Sequence, residues 1–175
     1  MGRRLSPRPA VRSSVVKGAA PLRGRTAATA RGAAVNQDEE EIRRLIEEWA
    51  SAVHRGDLAA VVRDHADDLV MYDVPPPYEG LRGLDAYRAV WPGFFAWQAS
   101  GAEFTLDTLD VTAGRDVAYA HALLRCGTPE ELAERPALRL RLTLGLRKED
   151  GRWVVAHEHH SFPDLSSEPG PSSSS

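Results

Sequence analysis

Cysteine is nearly absent from this chain: Cys126 is the only one among 175 residues. That excludes an intramolecular disulfide, and with no Cys-x-x-Cys pair it excludes a thiolate zinc knuckle. No apolar run approaches the roughly 20 residues needed to cross a bilayer, so a soluble, cytoplasmic protein without membrane partners is expected. No phosphate-cradling or dinucleotide motif occurs, so no cofactor is expected. Acid is missing from residues 1–37, which carry eight Lys and Arg between Arg3 and Arg31. All 25 Asp and Glu therefore follow that stretch, and the net charge of −3 hides a strongly acidic body. Such a body is a poor electrostatic match for nucleic acid. Residues 1–36 share the Arg-rich, acid-free composition of transit peptides but have no continuous apolar segment, and a disordered basic tail is expected there. The Ser/Pro/Gly-rich end, residues 165–175, reads as a second disordered tail. What is present is 42% apolar residue content, enough for one core, in a single domain over residues 37–164.

Periodicity organises that domain. Asn36 and Glu39 have the spacing of a capping pair, and Ile42, Leu45, Ile46, Trp49, Ala52 and Val53 then share one helical face. Gly56 stops this helix and Asp57 caps a short second one. Residues 69–74 read as a strand ended by Pro75, Pro76 and Pro77, which cannot donate to a sheet ladder. A third helix over residues 84–97 contains Pro92, which predicts a kink or break. Strands follow. One changes phase near Thr108, the mark of a bulge. The next separates Tyr119, His121 and Leu123 from Ala118, Ala120 and Ala122. Leu138 to Leu146 then alternate with polar residues, and Asp150-Gly151 is a hairpin turn into a last strand over residues 153–162. Helices first and antiparallel strands after them indicate an α+β domain.

Two passages carry a resemblance. Gly56-Asp57-Leu58 leads into His65-Ala66-Asp67-Asp68-Leu69-Val70-Met71-Tyr72-Asp73, and Asp150-Gly151-Arg152-Trp153 leads into His157-Glu158-His159-His160-Ser161-Phe162-Pro163. Together with the element order they resemble the SnoaL-like and ketosteroid isomerase-like domains of the nuclear transport factor 2 superfamily, over residues 38–163. The resemblance implies a cone-shaped roll, about three N-terminal helices packed on a curved, mostly antiparallel (mixed) sheet, a homodimer, and a pocket. It places Asp73 at the position of the isomerase's general base. It puts Trp49 where the isomerase has a tyrosine donor, and residues 140–144, which contain no acid, where it has a protonated aspartate. The steroid-isomerase oxyanion hole is therefore not expected.

The two-residue turn at Asp150-Gly151 pairs Leu144 with His157 and Leu142 with His159, which turns both histidines toward the buried leucine face. Inward imidazoles need partners, and Asp73, Ser161 and His121 are candidates. The expected site thus joins Asp73, His157, His159 and His121 as catalytic groups, with Trp49, Tyr78, Trp91, Phe95, Tyr119 and Ser161 as ligand contacts. The blander alternatives are that Asp73 caps the proline turn, that the tryptophans and Phe95 are ordinary core, and that His121 is a satisfied core histidine. On this reading Glu158 and His160 lie on the outer face. No resident metal is expected, although His157 and His159 with His121 or Asp73 supply enough ligands for one.

The function expected is proton transfer on a small hydrophobic or carbonyl-containing molecule, of isomerase, cyclase or dehydratase type, with Asp73 as base and a histidine at the oxygen. The alternative is a non-catalytic ligand-binding or oligomerisation domain of the same fold, since one fold hosts many functions.

Overall fold

A computed structural model describes residues 23–165. Helix α1 spans Arg23–Arg55, and the helix α2 spans Leu58–Val62. Strand β1 is His65–Tyr72 and β2 is Leu81–Arg82, followed by α3, Leu84–Gln98. Then come β3 (Glu103–Ala113), β4 (Val117–Gly127), α4 (Pro129–Glu134), β5 (Leu140–Glu149) and β6 (Arg152–Ser161). The six strands form one sheet in the order β2-β1-β6-β5-β4-β3. Only the β1–β6 pairing is parallel, so the sheet is mixed. Four described helices therefore accompany it, one more than the sequence suggested.

The stripe read on α1 is the core seam: Ile42, Ile46, Trp49, Ala52 and Val53 are all buried. The helix begins earlier than the Asn36 cap suggested, because the Ala- and Arg-containing segment before it favours helix as well. Residues 1–22 and 166–175, most of the two expected tails, lie outside the described residues. Asp38 ties α1 to the last hairpin, accepting from Lys148 Nζ at 2.7 Å and from Trp153 Nε1 at 3.0 Å. Asp57 caps α2 by accepting from the Ala60 amide at 3.1 Å. Helix α3 continues through Pro92. None of the described helices is long and apolar enough to cross a membrane.

On the sheet, the phase change in β3 is a bulge between Leu106 and Thr108. Leu140, Leu142, Leu144 and Leu146 of β5 face the core together with Ala120, Ala122 and Leu124 of β4. The β5–β6 turn has Asp150 at φ 48° and Gly151 at φ 81°, the two positive values a tight hairpin turn needs. From there the register runs as read at first, with Lys148 opposite Trp153 and Leu146 opposite Val155. A bulge then intervenes. Gly145 lies opposite His157 and Leu144 opposite Glu158, so Ala156 is an extra residue in β6. One inserted residue reverses the faces of everything beyond it. Trp153 and Val155 point inward before the bulge, Glu158 and His160 after it.

Candidate functional site

The bulge corrects the expected site. His157 and His159 stand on the outer face of the sheet. His157 donates from Nδ1 to the Val70 carbonyl at 2.9 Å, and the exposed ring of Tyr72 lies edge-on to both imidazoles. His121 and Tyr119 are also outside: their rings stack 6.3 Å apart, and His121 lies 3.8 Å from the exposed Asp110. Tyr78 is 97% exposed. Ser161, opposite Arg141, follows the outer face. The three-ligand metal set does not assemble, and among the described residues no group of three or more His, Cys, Asp or Glu is placed to hold an ion.

Inside, a different set converges. A cavity of about 570 Å³ opens between α3, the loop after β1 and the inner sheet face. Asp73 and Trp91, two of the expected residues, line it. Trp49 lies one layer deeper, its ring edge-on to Trp91 and Phe104, and Phe95 packs beside Trp91. The remaining wall is apolar: Phe94 and Trp97 from α3, Phe104 from β3, Leu140 from β5, and Phe162 after β6. The triplet Pro75 to Pro77 forms the rim. Gly80 closes that loop at φ 75°, where a Cβ would collide with the Met71 carbonyl and the Tyr72 ring.

The polar end of the cavity belongs to Asp73 and His160. Asp73 Oδ1 accepts from the Val74 amide at 2.8 Å and lies 3.1 Å from His160 Nδ1. Behind His160, which is 8% exposed, lies the fully buried carboxylate of Glu158. His160 Nε2 and Glu158 Oε2 are 3.3 Å apart, at an angle that makes this an ion-pair contact without a hydrogen bond. Glu158 Oε1 accepts from Tyr87 Oη at 2.9 Å and meets His65 Nε2 at 2.8 Å. Tyr87 Oη in turn accepts from Trp49 Nε1 at 3.1 Å, and its ring stacks on His65. A continuous polar chain therefore runs from the cavity wall into the core: Asp73, His160, Glu158, Tyr87 and Trp49, with His65 as a branch.

Electrostatics fixes the charges along that chain. Burial pushes the Glu158 carboxyl up, but the imidazoles of His160 and His65 beside it outweigh burial and hold it down at about 2. Burial pushes His160 down, but Asp73 and Glu158 on either side raise it to about 9. His160 is thus an imidazolium at neutral pH, with both N–H groups turned toward carboxylates. Burial and the charge of Glu158 drive the Tyr87 hydroxyl well above the ordinary phenol range, so it stays a donor. Burial pushes the Cys126 thiol in the cavity wall to about 12, with the charge of Asp73 adding to the effect.

Sequence reading missed Glu158 and His160 because it continued a perfect alternation past Gly145, and it missed His65 of β1 and Tyr87 of α3 because their only link to the site is Glu158. A glycine interrupting a leucine-alternating strand was the available signal, since strand glycines mark bulges and close approaches. A Cβ there would lie 3.3 Å from His157 Cβ.

Comparison with known proteins agrees with this architecture. The profile of the SnoaL-like domain matches residues 42–165. A crystal structure of an NTF2-like protein of unknown function from Pseudomonas putida KT2440 is 35% identical, with a TM-score of 0.62, over 75% of this chain and 91% of that one. An NTF2-like protein with a cystatin-like fold from Novosphingobium aromaticivorans is 22% identical, with a TM-score of 0.65, over 84% of this chain and 95% of that one. A Shewanella frigidimarina protein proposed to be a ketosteroid isomerase is 22% identical, with a TM-score of 0.52, over 67% of this chain and 92% of that one. Among curated proteins nothing matches.

Proposed function

The chain belongs to the SnoaL-like domain family, and from that premise we propose that its cavity takes up a small apolar molecule on which Asp73 moves a proton, in an isomerase- or cyclase-type reaction beside a carbonyl group. The observation that carries this reading is the state of Asp73. One carboxylate oxygen is fixed by the Val74 amide and His160, while Oδ2 has no hydrogen-bond partner among the described residues. A carboxylate held still at the one polar end of an apolar hollow is positioned to act as a general base. The imidazole at the cavity is His160, so it takes the place first given to His157, His159 and His121. Its part is to hold Asp73 and to balance its charge. The isomerase named for the Shewanella neighbour has the same reaction class.

A second reading is favoured by the same imidazolium. Both its N–H groups face carboxylates, so neither is free to polarise a substrate oxygen. That suits a binding domain without turnover. Incubation with simple β,γ-unsaturated ketones in deuterium oxide separates the two. Deuterium entering next to the carbonyl, and not with Asp73→Asn, supports catalysis; tight binding without exchange leaves the binding domain. A homodimer is proposed on the outer sheet face, where Tyr72, Tyr119 and Leu123 stand exposed; sedimentation equilibrium tests it.

A further inference from the structure

We infer that the cavity admits a flat, uncharged or cationic ring compound that donates a hydrogen bond to Asp73, and turns away anions of the same shape. The inference rests on the reading of this cavity as a ligand site and adds the ligand's charge and polarity to it.

Four features point the same way. First, the charged side chains lining the cavity are Asp73 and His160, with no lysine or arginine among the lining residues. A ligand carboxylate or phosphate therefore has no cationic partner except an imidazolium already held between Asp73 and Glu158. The member of that cluster with an open position at the cavity is the Asp73 carboxylate, so a further anion entering there meets a like charge. Second, the rim residues Val74 to Pro77 and Gly80, which line the cavity, offer carbonyls and no spare amide N–H. Pro75, Pro76 and Pro77 have carbonyls but no N–H. The Val74 amide is committed to Asp73 Oδ1, and the Gly80 amide to the Pro77 carbonyl at 3.0 Å. An anion-binding loop needs several convergent N–H groups, and the part of this loop that lines the cavity presents none. Third, Cys126 reports the same resistance: burial and Asp73 keep its thiol protonated, and a ligand acid entering beside it meets the same two forces. Fourth, Asp73 Oδ2 is an open, negatively charged acceptor, and hydrogen bonds to charged groups are the stronger kind. The rings of Trp91, Phe94, Phe104 and Phe162 add an aromatic wall suited to fused rings, and about 570 Å³ lies within the usual range for small-molecule sites.

Three naphthalenes of one shape test this on the full chain: 2-naphthol, 2-methoxynaphthalene and 2-naphthoate, titrated by calorimetry at neutral pH. The expected order is naphthol about tenfold tighter than the methyl ether, as for one hydrogen bond to a carboxylate, with naphthoate weakest by about a further tenfold. In Asp73→Asn the gap between naphthol and naphthoate narrows by about tenfold, as expected when the one carboxylate at the cavity wall loses its charge. Naphthoate or the methyl ether binding as tightly as naphthol overturns the inference alone. Failure of all three to bind overturns the ligand-site reading and this inference with it.

Discussion

Asp73 and His160 are 87 positions apart in the chain and 3.1 Å apart in space, joined by Asp73 Oδ1 and His160 Nδ1. The contact exists because β1 and β6 run parallel side by side, with Tyr72 beside His159, so the residues just after them meet at the same edge of the cavity. Its consequence is mutual. Burial alone drives the imidazole toward neutrality, and only the flanking carboxylates lift it to about 9. Replacing Asp73 by Asn removes one of the two supports. His160 should then titrate about one pH unit lower, as expected for loss of an adjacent opposite charge. Ring-proton NMR titration of His160 in the two proteins measures this directly. An unmoved His160 would mean that Glu158 alone sets its charge.

Glu158 tests the depth of the chain. Its carboxylate is inaccessible to water and meets His65, Tyr87 and His160 at once. Glu158→Leu fills the space but leaves the His65 imidazole and the Tyr87 hydroxyl without their acceptor, and the His160 imidazolium without one of its two carboxylates. Breaking a buried charged cluster in this way costs about 3–5 kcal/mol. Glu158→Gln keeps an acceptor for Tyr87 and should cost less, about 1–3 kcal/mol. Urea unfolding monitored by tryptophan fluorescence gives both values. Equal stability of the Leu variant and the parent would show that the network contributes nothing net to the fold.

The same two shifts give the pH dependence of stability. His160 is raised from 6.5 to about 9, so its contribution is complete below pH 6.5 and is lost as pH rises through about 9. Glu158 is lowered from 4.5 to about 2, so its contribution is complete above pH 4.5 and is lost as pH falls toward about 2. Both are present together between pH 4.5 and 6.5, where the network is at its strongest. Thermal melts across the alkaline range should show Tm declining as pH climbs from 6.5 to about 9. In His160→Gln that decline should flatten, because the titrating group is gone. A decline of the same size in the variant would assign it to another residue.

Much of this fold was readable because its signals are local. The stripe from Ile42 to Val53 needs only the helical period, the leucines of β5 only the strand period, and Asp150-Gly151 only the conformational freedom of a turn. Asp73 was found through the passage it ends. The cavity was not readable in the same way. Phe94, Phe104, Leu140 and Phe162 come from separate segments, and no pattern within any one segment announces that they share a wall. The helix α4 did carry a local signal that went unread: Thr128 and Glu131 form a capping box with Pro129 in the first turn. The inner face of β6 failed for a sharper reason. Alternation is a counting rule, and a single extra residue at Ala156 exchanged His157 and His159 for Glu158 and His160.

That extra residue can be removed. Without Ala156, His157 follows Val155 directly, and the ladder runs Leu146–Val155, Gly145–His157 and Leu144–Glu158 with no interruption. Opposed residues share a face, so Glu158 and His160 stay inward beside the buried Leu144 and Leu142, while His157 and His159 stay outside. His65 Nε2 and Tyr87 Oη keep Glu158 as the acceptor they share. What the deletion removes is the local kink of β6, and its cost is the backbone adjustment around that point, about 0.5–3 kcal/mol. The deletion variant should therefore melt cooperatively, below the parent, with His160 still titrating well above an ordinary histidine. Forcing the other phase takes a bulge-free strand that keeps Ala156, which would set His157 opposite Leu144 and carry Glu158 outward. A deletion variant with no cooperative melt, or with an ordinary His160, would show that the bulge itself, and not the pairing with Leu142 and Leu144, holds the polar chain inside.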